Sequence, residues 1–260
     1  MLLKHPHPSA CGGHLLPLAG EGLTHPFIRP TFTPMTTPLP EEDRPAEITP
    51  QILLRAYAVG MFPMSEGADD PSLFWVDPEM RGVFPLDKMI ISKSLAKVIR
   101  ADRFEVRVDD DFDAVIEACA AAAPDRHNTW INKRIRKLYR DLFDFGFVHT
   151  VETFLDGKRV GGLYGVKIGA AFFGESMFHR ATDASKVALM HLVARLRAGG
   201  FRVLDTQFIT PHLATLGAVE VPRDAYHVML DDAIGRSADF FVWPKGTQVP
   251  GAKILEILKD

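Results

Sequence analysis

Residues Gly161–Arg180 read GGLYGVKIGAAFFGESMFHR. The stretch is β-prone and apolar, interrupted by Gly161, Gly162, Gly165 and Gly169. A glycine inside a strand weakens it, so glycines there mark a bulge, a turn or a close approach by another group. One acid lies inside, Glu175, among Phe172, Phe173, Met177 and Phe178. Burying a carboxylate in such surroundings is costly unless a partner is supplied. Two readings follow: a hairpin whose Glu175 reaches solvent or an ion pair, or a wall of a functional pocket.

Upstream, FVHTVETF (147–154), a turn at Asp156-Gly157 and the glycine-rich stretch itself predict three antiparallel strands. Downstream, Leu189, Leu192, Val193 and Leu196 recur at helical spacing after a predicted Asp183 cap, and Gly199-Gly200 ends the helix. FRVLDTQ (201–207) reads as a strand, HLATLGA (212–218) as a short helix, and 222–235 as another, opened by Pro222. FFVWP (240–244) is expected to close the ordered part.

Toward the N-terminus, FEVRV (104–108) alternates like a half-buried strand, and helices are predicted over 112–122 and from Ile131 to Gly146. Asp109, Asp110 and Asp111 complement the positive end of the first of these. Ser92 caps a helix that carries Lys93, Lys97 and Arg100 on one face and Leu95, Val98 and Ile99 on the other. Such a stripe serves either as a solvated face or as a footprint for a phosphate backbone. Thr49-Pro50 starts the first helix and Gly60 stops it. Between these helices, residues 61–86 predict a packed loop with short strands, Phe74 and Trp75 in its core, and Arg81 standing out among apolar neighbours. Residues 1–46 are proline-rich with no periodicity and predict a disordered tail.

A 260-residue chain with 47% hydrophobic and 24% charged residues has ample material for a core. A net charge of -3 excludes a global basic field, so a polyanion has to be gripped locally. Two cysteines, Cys11 and Cys119, make no disulfide framework or zinc cluster and suit a reducing, cytoplasmic setting. Neither a membrane span nor a signal peptide is expected. Histidines in the tail are irregularly spaced, so no metal site is expected.

Strands, helix, strand, helix from residue 147 resemble the layout of acyl-CoA N-acyltransferases of the N-acetyltransferase type. The expected fold is α+β: an N-acetyltransferase-like mixed sheet with flanking helices, preceded by a smaller N-terminal α/β domain. The expected division is a tail at 1–46, an N-terminal domain with the basic helix at 47–103, a catalytic domain at 104–246 and a C-terminal tail at 247–260. In that superfamily a glycine-rich loop at a helix N-terminus holds the coenzyme A pyrophosphate. Here the link HRATDAS (179–185) has no glycine and places Asp183 there, so coenzyme A is not expected.

More specifically, GGLYGV and FFGESMF, ASK (184–186), LDTQF (204–208) and LATLGAVEVPR (213–223) resemble the leucyl/phenylalanyl-tRNA–protein transferase family. RAYAVGMFP (55–63), FWVDPEMRGV (74–83), ISKSL (91–95) and TWI (129–131) match it as well. The resemblance runs from about Ile48 to about Pro244 and leaves the N-terminal tail uncovered. It implies transfer of Leu, Phe or Met from aminoacyl-tRNA to the N-terminal Arg or Lys of an acceptor protein, which marks that protein for degradation by the N-end rule. It implies no coenzyme A and no metal, and a monomer is expected.

The resemblance further implies that Asp205 orients Gln207, whose carbonyl draws a proton from the attacking amine; assistance by the terminal ribose is the competing route. Glu175 would orient the aminoacyl or acceptor amine. Leu163, Phe172 and Trp130 would line the side-chain slot with Leu192 and Leu196 behind, and Trp130 is also placed to stack on the terminal adenine. Lys93, Lys97 and Arg100 would grip the tRNA acceptor arm. Two departures stand out: Phe62-Pro63-Met64 replaces FPW, leaving Met64 as a flexible wall, and AEITPQ replaces a GGDL motif. A coenzyme A-dependent N-acyltransferase and a non-enzymatic tRNA-binding adaptor are the alternatives.

Overall fold

The computed structural model describes residues 48–121 and 129–259; the expected tail at 1–46 lies outside them. The elements in chain order are α1 (Pro50–Ala58), β1 (Phe62–Met64), β2 (Phe74–Val76), β3 (Met80–Phe84), α2 (Lys93–Arg100), β4 (Glu105–Val108), α3 (Phe112–Ala120) and α4 (Lys133–Asp144). There follow β5 (Val148–Leu155), β6 (Lys158–Ile168), β7 (Ala171–His179), α5 (Ala184–Ala198), β8 (Val203–Gln207), α6 (Pro211–Ala214), β9 (Val219–Pro222), α7 (Arg223–Ile234) and α8 (Gly251–Ile257).

Local chemistry starts these elements as expected. The Thr49 hydroxyl accepts from the Ile52 N–H at 3.3 Å, and Gly60 leaves α1 at φ 84°. Ser92 caps α2 through the Leu95 N–H, and the Asn132 side chain caps α4 through the Ile135 N–H. Asp183 departs from expectation: its φ is 67°, it makes no capping bond, and its carboxylate turns to Lys186 at 2.9 Å.

Seven strands form one mixed sheet in the order β4-β5-β6-β7-β8-β3-β9, and β1 and β2 form a separate two-stranded ribbon. All pairings in the large sheet are antiparallel except β7 with β8. The sheet is covered on both faces. Gly161 of β6 lies against α5, where an added Cβ would come within 2.7 Å of the Ala184 Cβ. Tyr164, an odd number of residues on, meets Phe112 of α3 edge-on. Helix α5 carries eleven buried residues and is the centre of the core, with α2 and α8 packed alongside it.

Three expectations are corrected. Phe74 and Trp75 are exposed at 37% and 36% rather than core; as strand neighbours they point to opposite faces, so both faces of the two-stranded ribbon reach solvent there. Residues after 246 are not a tail: Ile254 and Leu255 of α8 and its C-cap residue Leu258, all buried, face the core at helical spacing. The expected boundary at 103/104 separates β3 from the sheet, although β3 lies between β8 and β9 within it.

The parallel pairing of β7 and β8 decides where a site can form. It runs only from Ala171↔Val203 to Phe173↔Asp205 and then stops, although both strands continue. At that level each strand carries one extra residue. On β7, Ser176 opposes Tyr164 and Gly174 opposes Gly165, leaving Glu175 unpaired. On β8, Gln207 opposes Gly82 and Asp205 opposes Val83, leaving Thr206 out. Bulges bend a strand and re-aim its side chains.

Candidate active site

Asp205 is the last residue of β8 to pair with β7 and has no exposure. Its carboxylate is fully occupied. Arg81 donates from Nε at 2.9 Å and 3.2 Å and from Nη2 at 2.6 Å, Tyr226 donates its hydroxyl at 2.7 Å, and the Gln207 backbone N–H donates at 2.7 Å. Arg81 is itself buried, gives Nη1 to the Gly60 carbonyl at 2.8 Å, and lies between the rings of Phe62 and Tyr226 at 4.6 and 4.5 Å. A planar fork stacked between two aromatics is a task for arginine rather than lysine. Burial alone would lower the guanidinium pKa, but Asp205 outweighs it and raises it above its ordinary value. Burial and then Asp205 likewise push the Tyr226 phenol up.

Gln207 sits at φ 57°, in the left-handed region, a backbone state that costs about 1–2 kcal/mol for a residue with a side chain. The Asp205–N–H bond offsets that strain. Assigned by its hydrogen-bonding surroundings, the Gln207 side-chain amide donates to the Gly174 carbonyl at 2.8 Å and the Thr206 carbonyl at 3.2 Å. Asp205 therefore holds Gln207 by its main chain.

Glu175, the bulge residue of β7, is 5% exposed and accepts from Tyr57 of α1 at 2.6 Å and from Tyr139 of α4 at 2.9 Å. The two tyrosine hydroxyls also touch each other. Burial pushes the carboxyl pKa up to about 7; the two tyrosine bonds pull the other way, and Asp205 adds to the rise. Burial raises both phenols well above the usual tyrosine range.

Beside Glu175 an apolar slot with about 40 Å³ of enclosed space enters the gap where β7 and β8 part, and neither Asp205 nor Gln207 is among its lining residues. Leu163, Met177, Leu189, Leu192 and Leu204 form its walls, and Gly174 and Glu175 stand on its rim. Of the residues expected in the slot, Leu163 and Leu192 line it. Phe172 and Leu196 are fully buried core residues, Phe172 stacking on Phe240. Trp130 and Met64 lie outside its walls; Ser65, next to Met64, donates to the Trp130 carbonyl at 2.7 Å. Among the described residues no group of three or more His, Cys, Asp or Glu is arranged to hold a metal ion.

Lys93, Lys97 and Arg100 are exposed on α2, and none forms an ion pair among the described residues. The contrast is α4, where Lys137 and Arg140 are engaged by Asp141, Asp144 and Asp113. The cations of α2 are thus free to meet an external anion.

Sequence reading missed Arg81 and Tyr226 as partners of Asp205, and Tyr57 and Tyr139 as partners of Glu175. An arginine inside an apolar strand was the one available signal.

The site is therefore that of an α+β protein with an apolar slot between two splayed parallel strands, each of which carries a buried carboxylate. The leucyl/phenylalanyl-tRNA protein transferase family model matches residues 83–231, and the model of that family's N-terminal domain matches residues 46–79. A leucyl/phenylalanyl-tRNA–protein transferase of Rhodopseudomonas palustris (strain HaA2) is 59% identical over 213 residues, covering 82% of this chain and 95% of the relative. Those of Afipia carboxidovorans (56% over 214 residues; 82% and 94% covered) and Nitrobacter winogradskyi (57% over 219 residues; 84% and 97% covered) are similar to it to the same degree. The chain belongs to the leucyl/phenylalanyl-tRNA–protein transferase family.

Proposed function

We propose that this chain transfers Leu, Phe or Met from aminoacyl-tRNA to the N-terminal Arg or Lys of an acceptor protein, creating an N-end-rule degradation signal in the cytoplasm. The observation that carries the reading is the apolar slot in the β7–β8 split, with Glu175 on its rim and the Asp205–Gln207 unit on the adjoining strand. A long side chain unbranched at Cβ fits a narrow slot walled by leucines and Met177.

The donor is an activated ester, so the protein has to position it, accept a proton and stabilise charge on the carbonyl oxygen. Asp205 has no free valence for chemistry and acts as the anchor. Its bond to the Gln207 N–H fixes the Gln207 conformation, and the side-chain bond to Gly174 aims the amide. The Gln207 carbonyl then accepts from the attacking amine and directs its lone pair at the ester. Trp130 and Met64 would take the terminal adenosine, and Lys93, Lys97 and Arg100 the acceptor-arm phosphates.

The split parallel pair and central α5 support classing the sheet with N-acetyltransferase-like folds. Against a coenzyme A donor stands Asp183, which puts a negatively charged residue at the N-cap of α5, where a pyrophosphate would seek the helix amides. The test compares peptides beginning with Arg, Lys, Glu and acetylated Arg as acceptors for leucine from Leu-tRNA. Arg and Lys peptides gain leucine and the others do not; equal modification of all four would remove the acceptor assignment.

A further inference from the structure

Resting on the transfer reading, we propose that Glu175, closed into a ring with Tyr57 and Tyr139, is the proton acceptor for the incoming ammonium group. The three groups make three mutual contacts: Tyr57 with Glu175 Oε1, Tyr139 with Glu175 Oε2, and Tyr57 with Tyr139. When Glu175 is ionised the ring holds two protons, one on each phenol. Both phenols donate to the carboxylate, and the contact between their oxygens has no proton in it. A third proton completes the ring: Glu175 donates to Tyr57, Tyr57 to Tyr139, and Tyr139 to the other carboxyl oxygen. The ring is thus one proton short, and it closes when it receives one.

The buried carboxylate on the neighbouring strand offers no such capacity. Asp205 is neutralised by Arg81 and takes two further donors. Among the described residues no arginine or lysine donates a hydrogen bond to Glu175, and Glu175 lines the slot. The groups facing it are Tyr57 from α1, Tyr139 from α4, and Asp205 and Arg81 from β8 and β3. Tyr164 of β6 packs edge-on behind Tyr139, and Tyr226 of α7 reaches only Asp205. Burial already favours the protonated form of Glu175, and a carboxyl titrating near neutrality matches an α-amine of pKa about 8.

The protons then balance. The acceptor arrives as an ammonium and gives one proton to the Glu175 carboxylate. The neutral nitrogen, steered by the Gln207 carbonyl, forms its bond to the ester carbon. The carbon–oxygen bond to the ribose breaks, and the second nitrogen proton goes to the departing ribose oxygen. Glu175 returns its proton to solvent.

The test measures kcat and KM for leucine transfer from Leu-tRNA to an Arg-initiated peptide between pH 5.5 and 9, as rough limits set by the titrating groups. It uses the full chain and the variants Glu175→Gln and Tyr139→Phe, with thermal melts as a folding check. Glu175→Gln is expected to lose about 100-fold in kcat near neutral pH with little change in peptide KM. Its activity then recovers about tenfold per pH unit toward the amine pKa, as solution does the deprotonation. Tyr139→Phe, which removes a donor to the carboxylate, moves the acidic limb of the profile to higher pH. A Glu175→Gln loss that is constant across pH, or carried by KM, overturns the proposal, as does an unmoved limb in Tyr139→Phe. Absence of transfer by the unmodified chain at every pH is a different failure, that of the transfer reading itself.

Discussion

Two carboxylates on neighbouring strands meet opposite fates. Asp205 is paired with the Arg81 guanidinium, whereas Glu175 is held by phenols and pushed up to about 7. Removing one side of a buried pair leaves an uncompensated charge, at about 3–5 kcal/mol. Arg81→Ala is therefore expected to lower unfolding stability by that much in urea titration, with transfer lost as Asp205 and Gln207 relax. Glu175 has the reverse stability signature. Its folded pKa lies above the unfolded carboxyl value near 4.5, so folding takes up a proton between the two values. The stability this contributes is fully present below the unfolded value and is lost as pH rises through about 7. Glu175→Gln keeps the side-chain shape without the ionisation, so its melting temperature should exceed that of the unmodified chain at pH 8 and converge with it near pH 5, the approximate limits set by that titration. Equal shifts at both pH values would show that the ionisation contributes nothing.

At the scale of elements, the strands and helices were largely legible because their periodicity and caps are local. The hairpins β5–β6–β7, the amphipathic α2 and the apolar α5 all follow from neighbouring residues. The site was legible only in part, because its decisive contacts are distant in sequence: Arg81 with Asp205 spans 124 residues and Tyr57 with Glu175 spans 118. The bulges at Glu175 and Thr206 depend on pairing with other strands, which no local pattern encodes. The close approaches that the glycines signal are made by the protein itself: Gly161 makes room for α5, and an added Cβ at Gly165 would strike the Phe172 ring at 2.3 Å. Among the described glycines, Gly174 alone lines the slot. Its added Cβ meets only ordinary contacts, so Gly174→Val should fold, yet reduce phenylalanine transfer more than methionine transfer. On α2, Lys93→Glu with Lys97→Glu and Arg100→Glu is expected to weaken tRNA binding. It should also flatten the salt dependence by close to one unit of slope per lost phosphate contact, measured by filter binding over a salt series. An unchanged slope would return that helix face to solvent.

For the whole molecule, the sheet is the frame that brings the first helix, the third strand and the C-terminal half to one split. Helix α8 completes it from the far end: Ile254 has no exposure and sits in the same core as α2 and α5. Ile254→Ala should lower stability by about 2–4 kcal/mol while leaving the slot and its carboxylates unaltered, so transfer at moderate temperature survives. The chemical claim has a more direct test. The chain is mixed with Leu-tRNA and an Arg-initiated peptide, and the peptide is sequenced by mass spectrometry, with Asp205→Ala in parallel. The account predicts one leucine added ahead of the arginine by the unmodified chain and almost none by the variant; an unmodified peptide with Leu-, Phe- and Met-tRNA alike would contradict it.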